Sequence, residues 1–176
     1  RPPPGIEKER AAFKLLLATD PETILSKLKA APAAAGPPQA NTSYEELTCV
    51  GYNPKLALLE ATVEIKRPTG YLGGVCGAGS VEYVRFFIDY GAGWQDVGIS
   101  SFRAHDIPDS KDCAEAPEKP LSYVVTHPLQ AARRSCKTPF LPKVRAILSW
   151  ELIPAGPNRT IVLANGLDRH IHIASP

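Results

Sequence analysis

The sequence predicts an all-β fold: an antiparallel β-sandwich carrying a short helical arm at its N-terminus. Three observations predict it. From Tyr44 onward, apolar residues recur with period two, as they do along strands that bury one face. The apolar runs are short and punctuated, with 18 prolines and 13 glycines among 176 residues. Residues 1–40 depart from this pattern, with helical spacing followed by a Pro/Ala-rich linker. The chain therefore divides into an arm and linker, 1–40, and a sandwich domain, 41–176. Both immunoglobulin-like and jelly-roll strand orders fit the pattern.

The arm comes first. Residues 6–18, IEKERAAFKLLLA, read as a helix with apolar positions at Phe13, Leu16 and Leu17. In TDPETILSKLKAA, Asp20 stands as the N-cap and Pro21 in the first helical position. Glu22 lies in the first turn and Lys27 and Lys29 come late, as the helix dipole favours. Ile24, Leu25 and Leu28 form its apolar stripe. Helices this short are marginal alone in water, so their apolar faces must pack on the body or on another molecule.

The strands follow. In residues 57–67, Leu59, Ala61, Val63 and Ile65 face one way and Glu60, Thr62, Glu64 and Lys66 the other. Residues 81–90 are apolar on one face at Val84, Phe86, Ile88 and Tyr90. Further strands are read at 94–102, 121–126, 144–150, 160–163 and 167–173, and the spacing suits a sandwich.

Composition excludes several functions. Twenty Lys and Arg against 18 Asp and Glu give a net charge of +2, with no basic stripe for nucleic acid. No apolar run approaches the roughly 18 residues of a membrane span. Met is absent, even at position 1, which points to a processed or trimmed chain.

GYLGGVCGAGS, residues 70–80, concentrates five glycines. A phosphate loop would need a helix behind it, and VEYVRFFIDYG reads as a strand instead. The segment is read as a strand-to-strand connection. Four cysteines, Cys49, Cys76, Cys113 and Cys136, lack metal-binding spacing. They are free thiols or two disulfides; the pairing favoured is Cys49–Cys76 with Cys113–Cys136. Disulfides would place the chain outside the cell or at its surface.

Several stretches together, including AFKLLLATDP, NTSYEELTCVGYNP, LEATVEIKRPTGYLGGVCGAGSVEYVRFFIDYG, PKVRAILSWE and LDRHIHI, resemble a widespread family of uncharacterised bacterial proteins. The resemblance spans nearly the whole chain and carries no catalytic residues. It implies that Asn41-Thr-Ser and Asn158-Arg-Thr, which match the glycosylation pattern, are bare. More loosely, EYVRFFIDYGAGWQDVG resembles extracellular β-sandwich modules with a calcium-binding acidic loop. Only Asp89 and Asp96 remain here as hard oxygen ligands, too few for calcium.

Three constellations stand out. Asp168, His170 and His172 alternate along one strand face and could ligate a metal, although alternation with Leu167, Ile171 and Ile173 already explains them as a solvated strand face. Trp94, Tyr90 and Tyr71 could form a stacking platform for a sugar or another surface ligand, or fill a core. No Gly-x-Ser-x-Gly elbow is present, and Glu60 and Glu64 lie on an outer strand face. The expectation is a non-enzymatic structural or interaction protein without a cofactor, associating with itself or another protein through residues 6–31. The alternatives are a carbohydrate- or surface-ligand-binding module and a metalloprotein with a His-x-His strand site.

Overall fold

The computed structural model describes residues 6–30, 36–74, 77–107, 121–132, 140–158 and 164–173. Two helices, α1 (Ile6–Thr19) and α2 (Pro21–Ala30), precede seven strands among the described residues. These are β1 (Glu45–Asn53), β2 (Leu58–Ile65), β3 (Ser80–Asp89), β4 (Trp94–Ala104), β5 (Leu121–Pro128), β6 (Lys143–Trp150) and β7 (Gly166–His170). The strand read at 160–163 lies outside the described residues. The strand read at 167–173 starts one residue earlier and ends at His170.

The strands form two antiparallel sheets, β1-β2-β5 and β4-β3-β6-β7. Among the described residues the first, second and fifth strands face the third, fourth, sixth and seventh, the immunoglobulin-like of the two orders that the sequence leaves open. The core lies between the sheets. Leu59, Ala61 and Val63 of β2 meet Val84, Phe86 and Ile88 of β3 and Val144, Ala146 and Leu148 of β6. These are the alternate positions that the pleat turns to one face.

The β3–β4 ladder carries a bulge between Phe86 and Phe87, opposite Gly98. Gly98 has φ +145°, and a Cβ there would stand 2.3 Å from Nε2 of His127. The His127 ring stacks on Phe86 with centroids 5.8 Å apart. Glycine is thus required where β4 passes the His127 ring of β5.

The outer face of the larger sheet is not bare. Phe87 and Ile147 are buried there, with Trp94 and Ala40 packed against them. Arg145, only 3% exposed, forms a bidentate pair with Asp168, both N···O distances being 2.7 Å. Its remaining nitrogen donates to the Gly36 and Pro157 carbonyls, and to Asn158, and its guanidinium lies 4.5 Å from the Trp94 ring centroid. Residues before β1 and after β6 are thereby strapped across the sheet. Asn165 ties the two sheets by accepting from the Leu47 amide at 2.8 Å and donating to its carbonyl at 3.0 Å.

The two arm helices form as the sequence predicts. Asp20 caps α2 by accepting from the Thr23 amide at 3.2 Å. The face that α1 turns inward differs from the expected one. Arg10 is buried, and Phe13 and Leu17 are half-buried, on the i, i+3, i+7 stripe that one helix face presents. Leu16, expected to be apolar contact surface, is 47% exposed beside Leu15 at 66%.

Candidate functional site

The densest chemistry lies at one end of the sandwich, where α1 meets both sheets. The alternation that buries Val84 and Phe86 also turns Ser80 and Glu82 inward, and Leu47 brings Glu45 with it on β1. Two carboxylates, both at 0% residue exposure, therefore sit in the interior, one from each sheet. Trp150 lies opposite Glu82 in the β3–β6 register and is itself 1% exposed.

Arg10 fills the space between them. One terminal nitrogen forms an ion pair with Oε1 of Glu45, and the other donates to the Gly70 carbonyl at 2.9 Å. Its guanidinium carbon is 4.0 Å from the Tyr44 ring centroid, 4.4 Å from Trp150 and 5.3 Å from Tyr71. Stacked, desolvated cations of this kind are held by ring quadrupoles as well as by ion pairing. Phe13, one turn on, meets Trp150 with centroids 6.1 Å apart. Lys14 reaches Glu151 at 4.0 Å.

The electrostatics are uneven. Burial pushes the Glu45 carboxyl up, against the opposing pull of Arg10. Glu82 is driven well above the usual carboxylate range, first by burial and then by the Glu45 charge, with Arg10 and a hydrogen bond from Ser80 pulling the other way. Burial and the same two carboxylates raise Tyr71 too, with Arg10 opposing. One cation thus faces two carboxyl groups, both pushed upward by burial, and only Glu45 has Arg10 as a hydrogen-bond partner. Ser80 Oγ donates to Glu82 Oε1 at 3.0 Å. Oε2 of Glu45, Oε2 of Glu82, Nε of Arg10 and the Trp150 indole N–H are buried with no hydrogen-bond partner among the described residues.

The glycine-rich connection forms the wall of this site. Its backbone amides do converge on an anion, and the anion is the chain's own. Asp106 accepts from the amides of Gly70 and Tyr71 at 2.8 Å each and from Gly73 at 3.1 Å. The Asp106 amide donates back to the Gly73 carbonyl at 2.8 Å. Gly70, at φ +113°, is confined by the Tyr44 ring, 2.2 Å from where a Cβ would lie. Asp106 therefore orients the loop, the loop presents the Gly70 carbonyl, and that carbonyl receives Arg10. The Tyr71 hydroxyl, donating to the Tyr44 carbonyl at 2.7 Å, pins the same wall.

The residues singled out in the sequence are dispersed. Tyr71 does not belong to a surface platform: it is wholly buried in the Arg10 site, where it meets Tyr44 edge-on at 6.2 Å. Trp94 is half-buried on the outer face of the larger sheet, beneath Arg145. Tyr90 is half-buried against the main core, stacked on Phe140, and accepts from the Ala132 amide at 3.1 Å. The three aromatics share no surface. Asp168 is taken by Arg145, His170 is exposed at the end of β7, and His172 lies beyond the strand. Among the described residues, no three His, Cys, Asp or Glu side chains gather as a metal requires. Asp89 accepts from the Gly91 and Gly93 amides, and Asp96 pairs with Arg85, so each carboxylate serves its own strand connection. Cys49 is an exposed free thiol among the described residues. Cys76, Cys113 and Cys136 lie outside the described residues. No helix is long and apolar enough to cross a membrane among the described residues.

Sequence reading missed Arg10, Glu45 and Glu82. The signal was present: extending the apolar alternation of β3 back by two and four positions reaches Glu82 and Ser80. No family model matches the chain, and no curated protein or solved structure matches it either.

Proposed function

We propose that this protein is a non-enzymatic interaction protein that associates with further copies of itself through its N-terminal arm. The observation that carries the reading is the orientation of α1. Its Arg10 face is clamped to the sandwich, and Leu15 and Leu16 point outward at 66% and 47% exposure. Two adjacent leucines on a helix fixed to a rigid body form an apolar surface available to a neighbour. The closed character of the buried carboxylates supports a non-enzymatic role, since both are shut away from solvent behind Arg10. A second copy is the occupant favoured, because contacts of this kind between identical chains close into symmetric assemblies or extend into filaments.

Light scattering after size exclusion tests the reading. A mass that is a multiple of 19.0 kDa, reduced to one subunit by Leu15→Glu with Leu16→Glu, is expected. A single-subunit mass at every concentration contradicts it.

A further inference from the structure

We propose that the end of the sandwich is a guanidinium-binding socket: a preformed site for an arginine side chain, occupied in the resting protein by Arg10. The inference concerns the body of the protein rather than the outward face of the arm, and it holds whether or not the chain self-associates.

Four features make the site specific for a guanidinium group. All the groups that touch the cation come from outside α1: Glu45 from β1, Gly70 from the glycine loop, Tyr44 just before β1, Tyr71 in the loop and Trp150 from β6. The acceptors are divided between the two terminal nitrogens, with Glu45 on one and the Gly70 carbonyl on the other. A compact ammonium cannot span that division. The Tyr44 and Trp150 rings stand 4.0 and 4.4 Å from the guanidinium carbon, distances that suit a flat, weakly hydrated cation. Oε2 of Glu45 is buried without a partner among the described residues, so the socket holds acceptor capacity that Arg10 does not use.

The wall is also built independently of the arm. Asp106 fixes the Gly70 carbonyl through three loop amides, and the Tyr71 hydroxyl is bonded to the Tyr44 carbonyl. Removing the Arg10 side chain therefore leaves Glu45, the Gly70 carbonyl and the Tyr44 and Trp150 rings to line the vacated position.

The test is chemical rescue of full-length Arg10→Ala. Millimolar methylguanidinium, at ionic strength held constant with NaCl, is expected to raise its thermal midpoint saturably and to leave the wild type unchanged. Methylammonium is expected to bind at least tenfold more weakly. Adding Glu45→Gln to Arg10→Ala is expected to weaken the rescue by at least tenfold. If Arg10→Ala does not fold unaided, the same titration is read as the yield of refolded protein. A peptide of residues 6–19 distinguishes the sources of the ligand. Tighter binding than methylguanidinium assigns the socket to a helix-borne arginine; equal binding assigns it to a free guanidinium compound. No saturable response to either, an equal response to methylammonium, or a rescue indifferent to Glu45→Gln would overturn the proposal.

Discussion

Replacing Arg10 by alanine removes the cation that pairs with Glu45 and lowers the pKa values of both buried carboxyl groups. The Arg10 side chain is 4% exposed and that of Glu45 1%, so solvent does not take over the neutralisation. Stripping one partner from a buried ion pair costs about 3–5 kcal/mol, because the remaining charge stays desolvated. Loss of the ring contacts falls within that range, since both penalties describe the same vacated position. For a chain of this length, each kcal/mol moves the thermal midpoint by about 2–4 °C, so the drop should be about 6–20 °C near neutral pH. The deficit should also depend on pH. Glu45 and Glu82 have folded-state pKa values above their unfolded values, and loss of Arg10, which lowers both, raises them further. Between the unfolded carboxylate range and those raised values, the folded state binds more protons than the unfolded state. Stability therefore falls as pH rises through this window, and more steeply in the variant. Denaturant unfolding from pH 5 to pH 8 should show a gap between wild type and Arg10→Ala that widens with pH. A loss below about 1 kcal/mol, unchanged across that range, would refute the reasoning, since surface ion pairs behave in that way.

Four further outcomes are expected. Glu82→Gln keeps a hydrogen-bonding group but cannot ionise where burial raises the carboxyl, so it should flatten the decline of stability toward pH 8 in the same unfolding series. Asp106→Ala removes the acceptor of three loop amides and should cost about 2–3 kcal/mol, with faster hydrogen exchange at Gly70, Tyr71 and Gly73. Gly98→Ala places a Cβ against His127 at a strained φ of +145° and should cost about 1–3 kcal/mol, read by chemical denaturation. Arg145→Met uncouples the strapped segments and leaves Asp168 partly buried without its partner; a loss of about 2–3 kcal/mol is expected, below the fully buried case because the Asp168 side chain is 31% exposed.

Much of the fold was legible because period two is a strong signal where one sheet face is buried. The strands at β2, β3 and β6 sit within two residues of their expected ends, and Asp20 caps α2 as its position implied. β1 was harder to read, since its alternation is broken by a bulge between Leu47 and Cys49. The inward face of α1 was misread for a different reason. A hydrophobicity pattern scores arginine as polar, whereas Arg10 belongs to the buried stripe because carboxylates and aromatic rings receive it. Those partners lie between 35 and 60 residues away in sequence for its two hydrogen bonds, so no local pattern contains them. The glycine loop was rightly denied a following helix, but its amides still gather an anion. Asp106 is more than 30 residues downstream, beyond any loop motif.

Outward-pointing leucines and a closed carboxylate pair both depend on α1 being held by Arg10. Amide hydrogen exchange along residues 6–19 measures that directly, in wild type and in Arg10→Ala. The structure predicts protection of α1 in the wild type and its collapse in the variant, with β2, β3 and β6 still protected. Unprotected exchange of α1 in the wild type, or protection indifferent to the loss of Arg10, would contradict it.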